Sequence, residues 1–281
     1  MTHTTSDKIG IIAGGGQFPL LFAKAARKQG LNVYAAAHQG ETDEALAGYV
    51  NRIQWVKLGQ LGKIINFFNQ EGVQKTVLLG SITKTNIFRD VRPDLKGIGL
   101  WNKINIKQDD AILRAVADRL EKDGIEVVTS TGYVPELLFP KGVQTKKKPT
   151  KEQQKDIVFG WQIARSLGEL DIGQCVVVRN QTVLAVEAIE GTDAAIRRGG
   201  TLGKEKTVIV KLRKPNQDLR FDLPAVGMQT IETMVEVNAA VLAVEAGFAL
   251  FFDREAVINA ANAAGIVIVG VTESATGELS L

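Results

Sequence analysis

KIGIIAGGGQFP, residues 8–19, runs from six strand-like residues through three glycines into a proline that opens a helical pattern. Lys8 to Ala13 predicts a short buried strand, and Pro19 to Gln29 predicts a helix that Gly30 closes. A strand, a glycine turn and a helix in this order are the opening unit of a parallel α/β sheet. The stretch therefore predicts that the chain begins with a Rossmann-like domain.

The same alternation continues to about residue 135. Further strands are predicted at Asn32–Ala37, Val73–Leu79 and Ile125–Thr129, with helices at Leu61–Glu71 and Asp109–Asp123. Strands separated by helices imply parallel pairing through right-handed crossovers. We therefore assign residues 1–138 to one Rossmann-like parallel-sheet domain.

The second half of the chain has a different pattern. Residues 139–152 are polar, basic and bounded by prolines, which predicts a linker. Residues 153–281 predict a mixed α/β domain, with a hairpin turning at Asn180-Gln181 and a long apolar helix over Thr230–Gly247. That helix could line a groove for acyl chains or simply belong to the core.

Composition excludes several function classes. The net charge is only +3, which gives no argument for nucleic-acid binding, and the run Lys146–Lys148 reads as a solvated linker or as a headgroup or phosphate contact. One cysteine, Cys175, allows no internal disulfide and no zinc cluster, and two histidines, His3 and His38, leave little for a Ser-His-Asp mechanism. The N-terminus lacks a signal-peptide pattern, so a cytoplasmic location is expected.

The glycine turn is a candidate phosphate cradle. Gly14, Gly15, Gly16 and Gln17 precede a helix, where bare N–H groups can meet phosphate oxygens. Gly14 and Gly16 match the first two positions of the dinucleotide fingerprint, but Pro19 occupies the third. NAD binding is therefore disfavoured, while a nucleotide or sugar-nucleotide phosphate and a purely structural turn both remain open.

A second candidate edge follows the strand that ends at Leu79. Ser81 and Lys84 come directly after it. In an open parallel sheet, ligands bind at the carboxyl ends of the strands, so these side chains could face the same crevice as the glycines. An ordinary exposed loop explains them equally well.

Two acidic blocks mark the second half. LAVEAIEGTD, residues 184–193, places Glu187, Glu190 and Asp193 around a turn at Gly191-Thr192. QDLRFDLPAVG, residues 217–227, adds Asp218 and Asp222. Carboxylates among apolar residues must pair, accept hydrogen bonds or bind metal, so the blocks resemble two walls of one site. A turn followed by a capped helix is the structural alternative for the first block.

With these motifs in place, the chain closely resembles the bacterial UDP-2,3-diacylglucosamine hydrolases of lipid A synthesis in Gram-negative organisms. The likeness is to the two-domain type that is unrelated to the calcineurin-like phosphoesterases, and it covers nearly the whole chain. It is most specific in LDIGQ at residues 170–174, in the block at 184–193, and in KPNQDLRFDLPAVG at 214–227.

The resemblance implies hydrolysis of the substrate's pyrophosphate to UMP and 2,3-diacylglucosamine 1-phosphate (lipid X). Water attacks the α-phosphorus with the help of a divalent metal, typically Mg²⁺, whose ligands are left unassigned. The family's essential aspartate matches Asp222 best, with Asp218 as the alternative. The N-terminal domain is expected to hold the UDP side, and the C-terminal domain the acylated sugar phosphate.

We expect the substrate to be bound by residues of both halves: Gly14, Gly15, Gly16, Gln17, Ser81, Lys84, Glu187, Glu190, Gly191, Thr192 and Asp193. Lys211, Arg213 and Lys214 could neutralise phosphate or face solvent. UDP-2,3-diacylglucosamine and lipid X are the expected small-molecule partners, and the inner face of the cytoplasmic membrane is the expected peripheral one. Whether the protein is a homodimer is left open. The rival function is a non-catalytic nucleotide or acyl-lipid binding protein.

Overall fold

The computed structural model describes residues 7–82, 109–215, 218–221 and 223–281. These residues form two compact units that divide between Pro135 and Glu136, with the short segment Asp218–Phe221 grouped with the N-terminal unit. Each unit has its own sheet and its own buried core. The predicted two-domain α/β fold is confirmed.

The N-terminal unit contains a five-stranded parallel sheet in the order β3-β2-β1-β4-β5. The chain order reverses between β1 and β4, which is the Rossmann arrangement, and ligands of such sheets bind beside that reversal. The strands are β1 Lys8–Ala13, β2 Asn32–His38, β3 Arg52–Val56, β4 Lys75–Leu79 and β5 Glu126–Val127.

The helices of this unit are α1 Phe18–Lys28, α2 Leu61–Glu71 and α3 Asp109–Lys122, with a 3-10 turn at Glu44–Tyr49. The bounds of α2 match the sequence prediction because Gly72, with φ of 68°, ends the helix in the left-handed conformation. The strand β3 was not predicted. It lies at the edge of the sheet, and its alternation of exposed and half-buried residues is a weaker signal than a continuous apolar run.

The C-terminal unit contains a mixed sheet in the order β14-β13-β11-β9-β7-β8, with β6 paired to β13. Strands β9, β11 and β13 are parallel, whereas β7 runs antiparallel to both β8 and β9. The strands of the sheet are β6 Gly142–Val143, β7 Cys175–Arg179, β8 Thr182–Val186, β9 Val208–Lys211, β11 Val241–Glu245, β13 Val267–Glu273 and β14 Leu279–Ser280.

A separate parallel pair joins β10 Ala225–Val226 to β12 Leu250–Phe251. The helices of the unit are α4 Lys151–Glu169, α5 Thr192–Gly203, α6 Met228–Glu236 and α7 Arg254–Ala264. None of the helices formed by the described residues combines the length and the apolar character that crossing a bilayer requires.

The predicted hairpin between β7 and β8 is confirmed. Asn180 and Gln181 have φ values of 50° and 53°, as a tight two-residue turn requires. Both of their N–H groups donate to the carboxylate of Asp156 on α4, at 3.0 and 2.6 Å. The buried carboxylate of Asp156 therefore stabilises the turn of this hairpin.

The predicted long helix over Thr230–Gly247 is wrong. Helix α6 ends at Glu236, Asn238 has a positive φ of 52°, and residues 241–245 form the central strand β11 instead. A strand buried between two parallel neighbours is apolar throughout, so its sequence looks like that of a buried helix. The idea that this segment forms an acyl-binding helix no longer applies.

The segment 139–152, suggested above as a linker, contributes to the C-terminal unit. Phe139 is buried and its ring stacks on Phe251 at 4.5 Å. Gly142 and Val143 pair with β13, and Thr150 caps α4 through a reciprocal pair of hydrogen bonds with Gln153. Polar composition hid these contacts, because most of them are made by the backbone.

Candidate functional site

The loops that follow β1 and β4 are bonded to each other at the reversal point of the N-terminal sheet. The N–H group of Gly14 donates to Leu79 O at 2.8 Å, and Gly15 and Ser81 exchange two hydrogen bonds of 2.7 and 3.1 Å. A Cβ atom on Gly14 would lie 2.5 Å from Ser81 O. Close backbone approach therefore explains Gly14, and the N–H groups of Gly14 and Gly15 are already engaged.

The N–H groups of Gly16 and Gln17 lie further along the same loop. Gly16 has φ of 85°, and no atom lies within 4 Å of the place a Cβ would take. Gly16 is therefore the glycine of this loop at which the predicted phosphate contact has open space. Lys84, expected to act with Ser81, lies outside the described residues.

A cavity of about 670 Å³ opens beside this loop, at the carboxyl ends of β1, β2 and β3. Trp55 on β3 lines it, together with three carboxylates of the segment that follows β2. The lining residues are Gly16, Gln17, Leu20, Gln39, Gly40, Glu41, Thr42, Asp43, Glu44 and Trp55. Apart from Gly16 and Gln17, the sequence prediction missed this wall, because β3 was not recognised.

His38 holds the loop after β2 in place and takes no exposed position in the cavity. Its Nδ1 lies 2.9 Å from Ala13 O, and the hydroxyl of Thr42 donates to the same carbonyl at 2.7 Å. Because the partner is a carbonyl oxygen, Nδ1 carries the hydrogen. Burial lowers the pKa of His38, so the imidazole is neutral at neutral pH.

In the C-terminal unit, residues of the motifs at 170–174 and 184–193 meet the end of β9 at one edge of the mixed sheet. Glu187 N donates to Cys175 O at 2.8 Å. Gly173 packs so closely that a Cβ there would lie 2.1 Å from Glu187 O. Lys211, at the end of β9, pairs directly with Cys175 across the sheet. Three separate segments of the chain thus form one local structure.

Glu187 and Lys211 are the buried charged groups of this edge. Glu187 is 7% exposed and Lys211 is 5% exposed. The Oε1 atom of Glu187 accepts a hydrogen bond from Thr192 at 3.1 Å, whereas Oε2 is buried without a partner. Burial raises the pKa of Glu187 even though the positive charge of Lys211 opposes the shift.

Lys211 also connects this edge to the second acidic block. Its Nζ donates to Ala225 O at 2.8 Å, three residues after Asp222. The next strand, β10, is held by its pairing with β12. Asp222 itself lies outside the described residues, as does Gln217, but the chain that follows it is anchored beside Lys211.

Of the other two carboxylates of the block at 184–193, Asp193 lies in the first turn of α5 and Glu190 is engaged in an ion pair. Glu190 pairs with Arg198 at 2.5 Å and accepts from Ala188 N at 3.2 Å; hydrogen bonds from its own backbone and from Arg198 lower its pKa. Among the described residues, no group of three His, Cys, Asp or Glu side chains could hold a metal ion. Glu187, Glu190 and Asp193 therefore do not form such a group among themselves.

Asp218 belongs to a different environment from Glu187, because its segment groups with the N-terminal unit. Its carboxylate accepts from Arg220 Nε at 3.0 Å and from a terminal nitrogen of Arg220 at 2.8 Å. Arg220 also pairs with Glu121 on α3 at 3.0 Å. The hydrogen bonds from the Arg220 side chain hold the pKa of Asp218 below its ordinary value.

The other candidate cations have structural partners, and the cysteine is buried. Arg213 pairs with Glu245 at 3.4 Å and lies over the ring of Phe248, and Lys214 pairs with Asp171 at 2.8 Å. Cys175 is fully buried, and desolvation together with the charge of Glu187 raises its pKa to about 12. The thiol is therefore not a nucleophile at neutral pH.

Comparison with known proteins gives the same division of the chain. The model of the LpxI N-terminal domain matches residues 8–137, and the model of the LpxI C-terminal domain matches residues 140–269. The UDP-2,3-diacylglucosamine pyrophosphatase LpxI of Caulobacter vibrioides is 35% identical over 275 residues, which cover 94% of this chain and 97% of that protein. With both domain models matched and nearly the whole chain aligned, the protein belongs to the LpxI family.

Proposed function

We propose that the protein hydrolyses UDP-2,3-diacylglucosamine to UMP and lipid X in lipid A biosynthesis. The observation that carries the proposal is the meeting of three chain segments around Glu187 and Lys211, in a chain that aligns along its length with a UDP-2,3-diacylglucosamine pyrophosphatase. Pyrophosphate hydrolysis needs a base, a positioned water and charge neutralisation, none of which requires histidine or cysteine.

The cavity of the N-terminal unit suits the nucleoside end of such a substrate. Trp55 offers an aromatic face on which a base can stack. Glu41, Asp43 and Glu44 would repel a phosphate but can accept hydrogen bonds from ribose hydroxyls. We therefore place uracil and ribose among these residues, and the diphosphate toward Gly16.

Asp222 is the base we propose, rather than Asp218. A carboxylate held by the guanidinium of Arg220 with a lowered pKa is a poor proton acceptor. The base takes a proton from a water molecule while the oxygen of that water bonds to the α-phosphorus. The bond from that phosphorus to the bridging oxygen breaks, and lipid X leaves with the bridging oxygen. Lys211 is a positioning residue for this block, through its hydrogen bond to Ala225.

Magnesium dependence belongs to the proposal, although the described residues alone do not form a metal site. Magnesium prefers oxygen ligands, and the buried Oε2 of Glu187 is one such oxygen. The carboxylate of Glu187 already interacts, however, with the positive charge of Lys211. Magnesium ions in phosphoryl-transfer sites are commonly held by one or two carboxylates, water and the phosphates of the substrate. Addition of EDTA is therefore expected to stop turnover.

The direct test is the reaction in ¹⁸O-labelled water with UDP-2,3-diacylglucosamine as substrate. Attack at the α-phosphorus puts the label in UMP, whereas attack at the other phosphorus puts it in lipid X. Label found only in lipid X would overturn the proposed point of attack. Binding of the substrate by folded protein without release of UMP, with magnesium present, would favour the non-catalytic binding protein.

A further inference from the structure

Three aliphatic side chains are exposed at the edge of the C-terminal unit that holds Glu187 and Lys211. Leu170 is 70% exposed, Ile172 is 44% exposed and Ile189 is 98% exposed. We call these three residues the apolar rim. Single exposed aliphatic residues are normal on protein surfaces, but a group of them on adjoining loops marks an interaction site.

The two loops that carry the rim are fixed beside each other. One follows α4, and the hydrogen bond from Ile172 N to Leu167 O at 3.0 Å closes it. The other follows β8, and its first residue, Glu187, packs on Gly173. Because these segments continue the β7–β8 hairpin, Ile172 and Ile189 lie on adjacent stretches of chain. Their exposure is therefore a property of an ordered surface.

Two of the carboxylates around the rim are neutralised in ion pairs. Asp171 pairs with Lys214 at 2.8 Å, and Glu190 pairs with Arg198 at 2.5 Å. Pairing lowers the cost of bringing these two carboxylates toward an apolar phase. The position also matters, because the rim borders the buried Glu187 and Lys211.

We propose that the apolar rim inserts into the interface of a phospholipid bilayer. The inference rests on the proposed function in one respect, which is that a diacylated substrate must be collected from a bilayer. Exposed aliphatic side chains at a loop tip can enter the acyl boundary of a membrane, and their burial there is favourable in proportion to their apolar area. The rim then brings the edge with Glu187 to the surface where the substrate resides.

The competing membrane contact would be electrostatic. Exposed lysines, among them Lys148, Lys151 and Lys155, lie around the start of α4, whereas the rim follows its end. A helix of 19 residues separates the two groups by about 28 Å. Variants can therefore address one surface without touching the other.

The test is flotation with vesicles of phosphatidylethanolamine and phosphatidylglycerol, at low salt and at about 1 M salt, where charge interactions are screened within about 3 Å. Wild type is expected to bind at both salt concentrations. The variant Leu170→Ser/Ile172→Ser/Ile189→Ser is expected to bind at least about tenfold more weakly. The matched control, Leu202→Ser/Val235→Ser, replaces side chains that are 62% and 48% exposed on α5 and α6, and it should bind like wild type.

Several results would overturn the proposal. These are wild type that does not float, binding that disappears at high salt, or equal binding by the rim variant. If the triple variant is poorly folded, Ile189→Ser alone decides, because a side chain with 98% exposure has almost no contacts to lose. UMP release from substrate in detergent micelles is measured in parallel. If neither the wild type nor any variant releases UMP, that result counts against the proposed function and does not affect the vesicle result.

Discussion

Glu187 combines two properties that a purely structural carboxylate does not need. It is buried beside Lys211 and Thr192, yet one of its oxygens has no hydrogen-bond donor. An unsatisfied buried polar atom typically costs about 1–3 kcal/mol, and such costs concentrate at functional sites. Burial has a larger effect than the positive charge of Lys211, so the pKa of Glu187 is raised.

The variant Glu187→Gln is expected to separate stability from activity. A raised pKa in the folded state means that the wild type loses stability as the pH rises through that pKa. Glutamine does not ionise, so the free energy of unfolding of the variant minus that of wild type should increase from about pH 4 to about pH 8. UMP release is expected to fall by about tenfold or more.

Glu190→Gln is the matched control, because its pKa is shifted in the opposite direction. Hydrogen bonds to its charged form lower the pKa of Glu190, so its contribution to stability is present above the unfolded value and is lost as the pH falls. The stability difference should therefore change with pH in the opposite sense. Urea unfolding at both pH values measures the two differences. The same slope in both variants would contradict this account of Glu187.

The joined loops after β1 and β4 illustrate how an element depends on glycine. Gly80 has φ of 85°, and a Cβ there would lie 2.3 Å from Gly15 O. Gly16 has the same φ, but its Cβ position is open. Substituting Gly16 and Gly80 separately therefore distinguishes backbone strain from a collision between the two loops.

Gly16→Ala is expected to cost about 1–2 kcal/mol, which is the price of a left-handed residue with a side chain. Gly80→Ala is expected to cost at least about 2 kcal/mol more, because two backbones must also move apart. Urea unfolding measures both free energies. Equal costs would show that the contact between the loops does not constrain the fold.

Sequence patterns predicted elements wherever a residue type forces one local conformation. Gly72 ends α2, and Asn180-Gln181 turns the hairpin, as predicted. The misassigned segment was Val241–Glu245, because a strand buried on both faces has no alternation to reveal it. Arg52–Val56 was missed for the opposite reason, since an edge strand has few buried residues.

The candidate sites were predictable only in part. The motif at 184–193 pointed to Glu187, but no local pattern gives the pairing of Glu190 with Arg198 or of Arg220 with Glu121. The nucleoside cavity was invisible for a similar reason. Trp55 reaches the loop after β2 because it pairs with Ala37 across the sheet, and sheet register is a tertiary property.

We proposed that the nucleoside end of the substrate binds in the cavity of the N-terminal unit, and this predicts which residues UMP protects from hydrogen exchange. Hydrogen exchange in the presence of UMP should slow at Gln39–Glu44 and around Trp55. The hairpin of Cys175–Val186 in the C-terminal unit should be unaffected. Trp55→Leu is expected to weaken UMP binding by about tenfold, since stacking contributes about 1–3 kcal/mol. Protection confined to the C-terminal unit would contradict the assignment.

The central claim is that hydrolysis depends on the second acidic block and, within it, on Asp222. The measurement that tests it most directly is UMP release from UDP-2,3-diacylglucosamine by wild type, Asp222→Asn and Asp218→Asn, each with magnesium and with EDTA. Asp222→Asn is expected to lose about 10²-fold or more of the rate, as removal of a general base does. Asp218→Asn should lose its ion pair with Arg220 and keep most of the rate. Equal rates for Asp222→Asn and wild type would contradict the account.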